Sequence, residues 1–288
     1  MSDPFRIPNE QRSAGEQESP EDFLSRVNRC RWAFTLAALG LGIQTVDLAL
    51  GRVADLTRGR ANDPAIRALL ELMESRQWSW WVHTPITWFA LIASYALIGK
   101  FRTPTWNTRS VALAAMNTVD LGLWLIAHAR ELGLGDTLGR LLPPFSILRY
   151  GLEALQWLEL ILFAMLCSEL GAMIGRKDME AAQYATRASA MGGLILWATN
   201  FSMLVYWNLQ RFPRVGWRQQ MEWHMFRSMA MVMLAITAFQ VTALCLTAAR
   251  RCRDWLRSQH SASESDLPTA SSEAFFQDWQ ERDRNAWK

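Results

Sequence analysis

The sequence predicts an all-α membrane protein, a bundle of about six transmembrane helices with repeated helical hairpins as one way of building it. Three observations carry this. Half of the 288 residues are hydrophobic, and they cluster into six runs, each close to the ~20 residues that cross a ~30 Å hydrocarbon core. The mean hydropathy of the whole chain is near zero only because polar tails dilute those runs. Many of the fifteen tryptophans stand at the ends of the runs, among them Trp32, Trp78, Trp80, Trp81, Trp106, Trp217 and Trp223. Indole rings favour the headgroup zone, so they mark span ends independently of hydropathy.

Residues 1–30 read as a polar N-terminal tail, with the first twenty or so lacking any periodicity. The membrane domain covers 31–250, with spans at about 32–52, 80–99, 109–130, 150–175, 188–208 and 226–250. The first run is too long and lies too deep in the chain to read as a cleavable leader, so it is expected to remain as a span. Between the first two spans, Asp63-Pro64 is a helix start, a capping residue followed by proline at the first helical position. Ile66, Leu69, Leu70 and Met73 follow at i, i+3, i+4 and i+7. They predict an amphipathic surface helix over about 63–77. Residues 131–149 carry Gly133, Gly135, Gly139 and Pro143-Pro144 and read as a structured turn. Residues 251–288 read as a cytoplasmic segment: a basic collar (Arg250, Arg251, Arg253, Arg257), a Ser-rich linker over 261–272, and a short aromatic tail containing Phe275, Phe276, Trp279 and Trp287.

Charge narrows the partners. The net charge is +3 and basic residues are spread over every loop, which leaves no nucleic-acid footprint. The bilayer is the expected partner, together with other membrane subunits or further copies of the chain. Basic residues are nearly balanced across the two sides. Arg26, Arg29 and Arg31 just before the first span favour both termini in the cytoplasm, in a plasma or bacterial inner membrane. That orientation puts Cys30 and Cys252 at the cytoplasmic edge and Cys167 and Cys245 within the membrane. No metal-ligand spacing or outward disulfide pair results.

Two spans carry the same word, Thr45-Val46-Asp47-Leu48 and Thr118-Val119-Asp120-Leu121. The spans that follow them also correspond, Phe89–Ser94 with Phe163–Ser168. Duplicated hairpins and the small alphabet of membrane helices are both compatible with this pattern. An ionisable residue inside a span is costly and therefore a candidate functional site. The candidate intramembrane polar site comprises Asp47, Asp120, Glu159, Asn117 and Asn200. Glu169 also lies in an apolar run, and no Lys or Arg falls in the middle of any span. Three histidines at one level, His83, His128 and His224, form a candidate metal or haem set, although no CxxCH or HExxH accompanies them.

No GxSxG, P-loop or GxGxxG motif is present, so enzyme chemistry is not expected and no cofactor follows from the sequence. The leading expectation is a non-catalytic scaffold or accessory membrane component. Two alternatives stand beside it. One is a transporter or channel with carboxylates lining a proton or cation path. The other is a redox subunit holding haem or metal.

Overall fold

The computed structural model describes residues 20–57, 63–101, 103–127, 145–174, 178–209 and 217–264. Seven helices and no strand occur among them: α1 (Pro20–Thr57), α2 (Pro64–Glu74), α3 (Arg76–Leu97), α4 (Pro104–Ala127), α5 (Phe145–Met173), α6 (Asp178–Leu209) and α7 (Trp217–Glu264). Four of these, α1, α5, α6 and α7, are long and apolar enough to cross a membrane. α3 and α4 have 22 and 24 residues. Tryptophans, Ser79, His83 and Pro85 in α3, and Asn107, Arg109, Asn117 and Asp120 in α4, dilute their apolar content.

Helix α7 ties the bundle together. It packs along α1, α5 and α6, while α3 joins α1 to α4 and α4 joins α3 to α5. α1 and α7 pack along each other, and both bury small side chains: Ala33, Ala37 and Ala38 on one helix, Ala238, Cys245 and Ala248 on the other. Small residues let two backbones approach closely, which is how helices gain contact where lipid already satisfies apolar surface. α1 and α3 use the same device, because a Cβ at Gly40 would lie 3.1 Å from Phe89 Cβ. At α5–α6 the requirement is stricter. The buried Trp157 indole fills the space in which any Cβ on Gly193 would sit.

The helices begin before the expected spans, α1 and α6 by ten residues or more, and α1 and α7 also run on past their expected ends. α1 has 38 residues and begins at Pro20, so residues 20–30 of the expected polar tail are helical. Phe23, Val27, Cys30 and Phe34 form an apolar stripe at helical spacing, and all four are buried. Phe23 packs edge-on against Phe101 and Trp255 at 5.9 and 5.5 Å. α7 runs 48 residues to Glu264, so the basic collar and the first residues of the expected Ser-rich linker continue the last span. Residues 1–19 and 265–288, with the aromatic tail, lie outside the described residues, as do 128–144, which include most of the Gly/Pro turn. That turn ends earlier than expected, since α5 already begins at Phe145.

The surface helix stops at Glu74 instead of continuing to 77. Asp63 Oδ1 accepts from Ala65 N at 2.9 Å and Pro64 opens α2. Ser75 then closes α2 and caps α3, its hydroxyl accepting from Trp78 N at 3.2 Å. Met73 Cε lies 3.9 Å from where a Cβ on Gly51 of α1 would stand, and α2 packs against both α1 and α3. At the opposite end, Gly99 takes a positive φ of 64° after α3, a conformation that glycine reaches without steric cost. The turn is fastened by Trp106 Nε1, which donates to Leu97 O at 2.8 Å. Trp106 is therefore buried rather than part of an interfacial belt. Trp88, in the middle of α3, is 47% exposed.

Gly193→Ala should lower stability by about 1–3 kcal/mol, the usual range for overpacking. Gly192→Ala is the control, because its Cβ meets only Met233 Cε at an ordinary 3.9 Å. Thermal unfolding of the two variants in detergent checks the contrast; equal melting temperatures would refute it.

Candidate functional site

The polar side chains of the bundle fall into separate clusters, each held between neighbouring helices. Glu169, near the end of α5, is the most completely bonded. Its Oε1 accepts from Thr103 Oγ1 at 3.0 Å and from Thr105 Oγ1 at 2.6 Å, and its Oε2 accepts from Arg109 at 2.8 Å. The sequence placed no cation beside this acid. Arg109 is 60 positions away and meets it because α4 starts where α5 ends. Glu153 likewise faces Arg227, at 3.7 Å, from the other end of α5.

A second cluster lies between α4 and α5. Asn117 Nδ2 donates to Leu113 O at 3.0 Å, and the Asn117 side chain and Asp120 both lie beside Glu159. One Glu159 oxygen, Oε1, is buried with no hydrogen-bond partner among the described residues. Three of the five candidate polar residues, Asn117, Asp120 and Glu159, are thus brought together.

The other two are not. Asp47 lies between α1 and α3, where its Oδ1 accepts from Trp78 Nε1 at 2.9 Å. Its Oδ2 faces His83 Nε2 at 3.9 Å, beyond hydrogen-bond reach. Asn200 fastens α6 to the start of α7, donating from Nδ2 to Trp223 O at 3.1 Å. Farther along the same pair of helices, Ser189 Oγ donates to Gln240 Oε1 at 2.6 Å and lies 3.3 Å from Thr237 Oγ1. Asp47 and Asp120 therefore turn to different helix pairs, α1–α3 and α4–α5, instead of facing one another.

Asp47 also borders a cleft of about 510 Å³ between α1, α3 and α7, whose remaining walls are almost wholly apolar. Sequence reasoning had no way to find it, because its walls come from three helices far apart in the chain.

His83 stands beside Asp47 on α3, and His224 packs against its neighbour Trp223 on α7, ring centroids 4.8 Å apart. His128 lies outside the described residues. Among the described residues no group of three His, Cys, Asp or Glu side chains could hold a metal ion. All four cysteines are buried and free. Cys167 of α5 and Cys245 of α7 bring their sulfurs within 3.7 Å, a contact that sequence separation concealed.

Comparison of the chain with known protein families, with curated proteins and with solved structures finds no match.

Removing the charge acceptor in Glu169→Gln should destabilise the α4–α5 pair by about 1.5–3 kcal/mol, the range for hydrogen bonds to charged groups. A double-mutant cycle with Arg109→Ala checks this, and additive effects would show that the pair is not coupled. Trp78→Phe, which deletes the indole donor to the Asp47 carboxylate, should cost an amount in the same range, about 1.5–3 kcal/mol, by thermal unfolding in detergent.

Proposed function

We propose that the chain is a non-catalytic scaffold or accessory subunit: a six-span bundle, both termini cytoplasmic, in a plasma or bacterial inner membrane. The observation that carries this reading is how the polar side chains are used. Glu169, Asn200 and Ser189 each join one helix to its neighbour, and Asp47 turns to a different helix pair from Asp120 and Glu159. Inter-helix hydrogen bonds of this kind hold a bundle together and leave its outer faces for association.

Those outer faces are extensive. Met221, Met225, Met229, Val232, Ile236 and Phe239 follow one another along the exposed side of α7, and Tyr184, Met191 and Ile195 along that of α6. α6 is the least buried of the four long apolar helices. For α3 and α4 as the fifth and sixth spans, length is the support. At 1.5 Å per residue they reach about 33 and 36 Å, enough for a ~30 Å core.

The scaffold reading is tested by size. Solubilised in mild detergent, the protein should migrate well above the 32.9 kDa of a single chain, and deleting residues 261–288 should weaken that association. A lone monomer whose behaviour is unchanged by the deletion removes the reading. For the six spans, cysteines introduced singly at residues 60, 102, 133 and 176 should label from alternating sides in chain order; any other pattern rejects the topology.

One observation favours a second reading, transport of protons or cations: the unpartnered buried oxygen of Glu159 beside Asp120. A pair of carboxylates in a span is a recurrent device for moving protons. On this reading Asp120→Asn abolishes flux in reconstituted vesicles, and undiminished flux dismisses it.

A further inference from the structure

We propose that the cleft between α1, α3 and α7 is a binding site for a membrane lipid whose headgroup carries a primary ammonium, a phosphatidylethanolamine. The proposal is independent of whether the bundle acts as a scaffold or a carrier.

The cleft has the size and lining of a ligand site. Its volume is about 510 Å³, inside the roughly 300–1,000 Å³ usual for small-molecule pockets. Along α1 it runs from Ala38 past Gly42 to Asp47, about 14 Å at 1.5 Å per residue. Thr242 and Leu246 of α7 line it with Ala38 and Gly42, and Trp78 of α3 lines it with Asp47. The result is an elongated apolar slot with a single carboxylate at one end, the shape of an aliphatic tail beneath a polar head. Gly42 keeps the slot open, since a Cβ there would meet only Thr242 Cγ2, at 3.8 Å.

Charge selects the head. Asp47 has one oxygen occupied by Trp78 and the other without a hydrogen bond, and His83 is the sole cation-capable side chain within 4 Å of it among the described residues. The free oxygen calls for a donor, preferably a positive one. A primary ammonium offers three N–H donors and a positive charge. A quaternary choline has the charge but no donor, and a phosphoglycerol head brings hydroxyls together with a negative charge that Asp47 repels. The level fits as well. Trp78 lies in the first turn of α3, where the helix enters the bilayer and headgroups reside.

The test uses the full chain in vesicles containing equal parts phosphatidylethanolamine, phosphatidylcholine and phosphatidylglycerol with matched acyl chains. After extraction in mild detergent, bound lipid is identified by native mass spectrometry. Phosphatidylethanolamine should be retained at about one molecule per chain. Asp47→Asn, which preserves an acceptor for Trp78, should lower that retention about tenfold, as loss of a charge-assisted hydrogen bond implies. Gly42→Leu fills the slot without touching Asp47 and should abolish retention of all three lipids. Equal retention of the three lipids by the native chain, preference for either of the other two, an Asp47→Asn variant that keeps the ethanolamine lipid, or a Gly42→Leu variant that still binds it would each overturn the proposal.

Discussion

A polar group without a partner in hydrocarbon costs several kcal/mol, because no water is present to take the missing hydrogen bond. The architecture follows from that cost. Backbone groups are satisfied within the helices themselves. Where a helix ends inside the packed assembly, a side chain completes the bonding: Trp106 serves the last carbonyls of α3, and Ser75 serves the junction of α2 with α3. The helix threonines Thr45 and Thr118 return their hydroxyls to the carbonyl four residues earlier, Leu41 O and Ala114 O.

Glu169, Asp47 and Asn200 meet the same demand across helix boundaries, and so they help decide which helices are neighbours. Glu169 holds α5 to α4, Asp47 holds α1 to α3, and Asn200 holds α6 to α7. Around these points the packing relies on shape. α1 and α7 bury alanines, Gly40 admits Phe89, and Gly193 admits Trp157. Since lipid tails are as apolar as the side chains they surround, close fit and hydrogen bonding, rather than escape from water, favour one arrangement over others.

Several groups among the described residues depart from this economy; two of these are the unpartnered Glu159 oxygen and the half-occupied Asp47 carboxylate. They differ in setting. Glu159 is enclosed between α4 and α5 with Asp120 and Asn117, whereas Asp47 borders an elongated cleft. A cleft gives a ligand room, which is why the binding inference rests on Asp47.

The helical class, the approximate position of each long helix and the cap at Asp63-Pro64 were legible in the chain, because apolar content over twenty residues and capping chemistry are local properties. Asn117, Asp120 and Glu159 could be named as polar residues in apolar runs for the same reason. Their grouping could not, nor could the separation of Asp47 and Asn200 from them. Those depend on how each helix is rotated and which helix it meets, and that is decided by contacts between residues tens of positions apart. Arg109 with Glu169, Cys167 with Cys245 and Trp157 with Gly193 are of this kind. The repeated Thr-Val-Asp-Leu shows the division in one motif. Sequence placed an acid in the first helix of two successive hairpins; tertiary packing turned each towards its own partner helix, one to a tryptophan donor beside a cleft and the other to a second carboxylate.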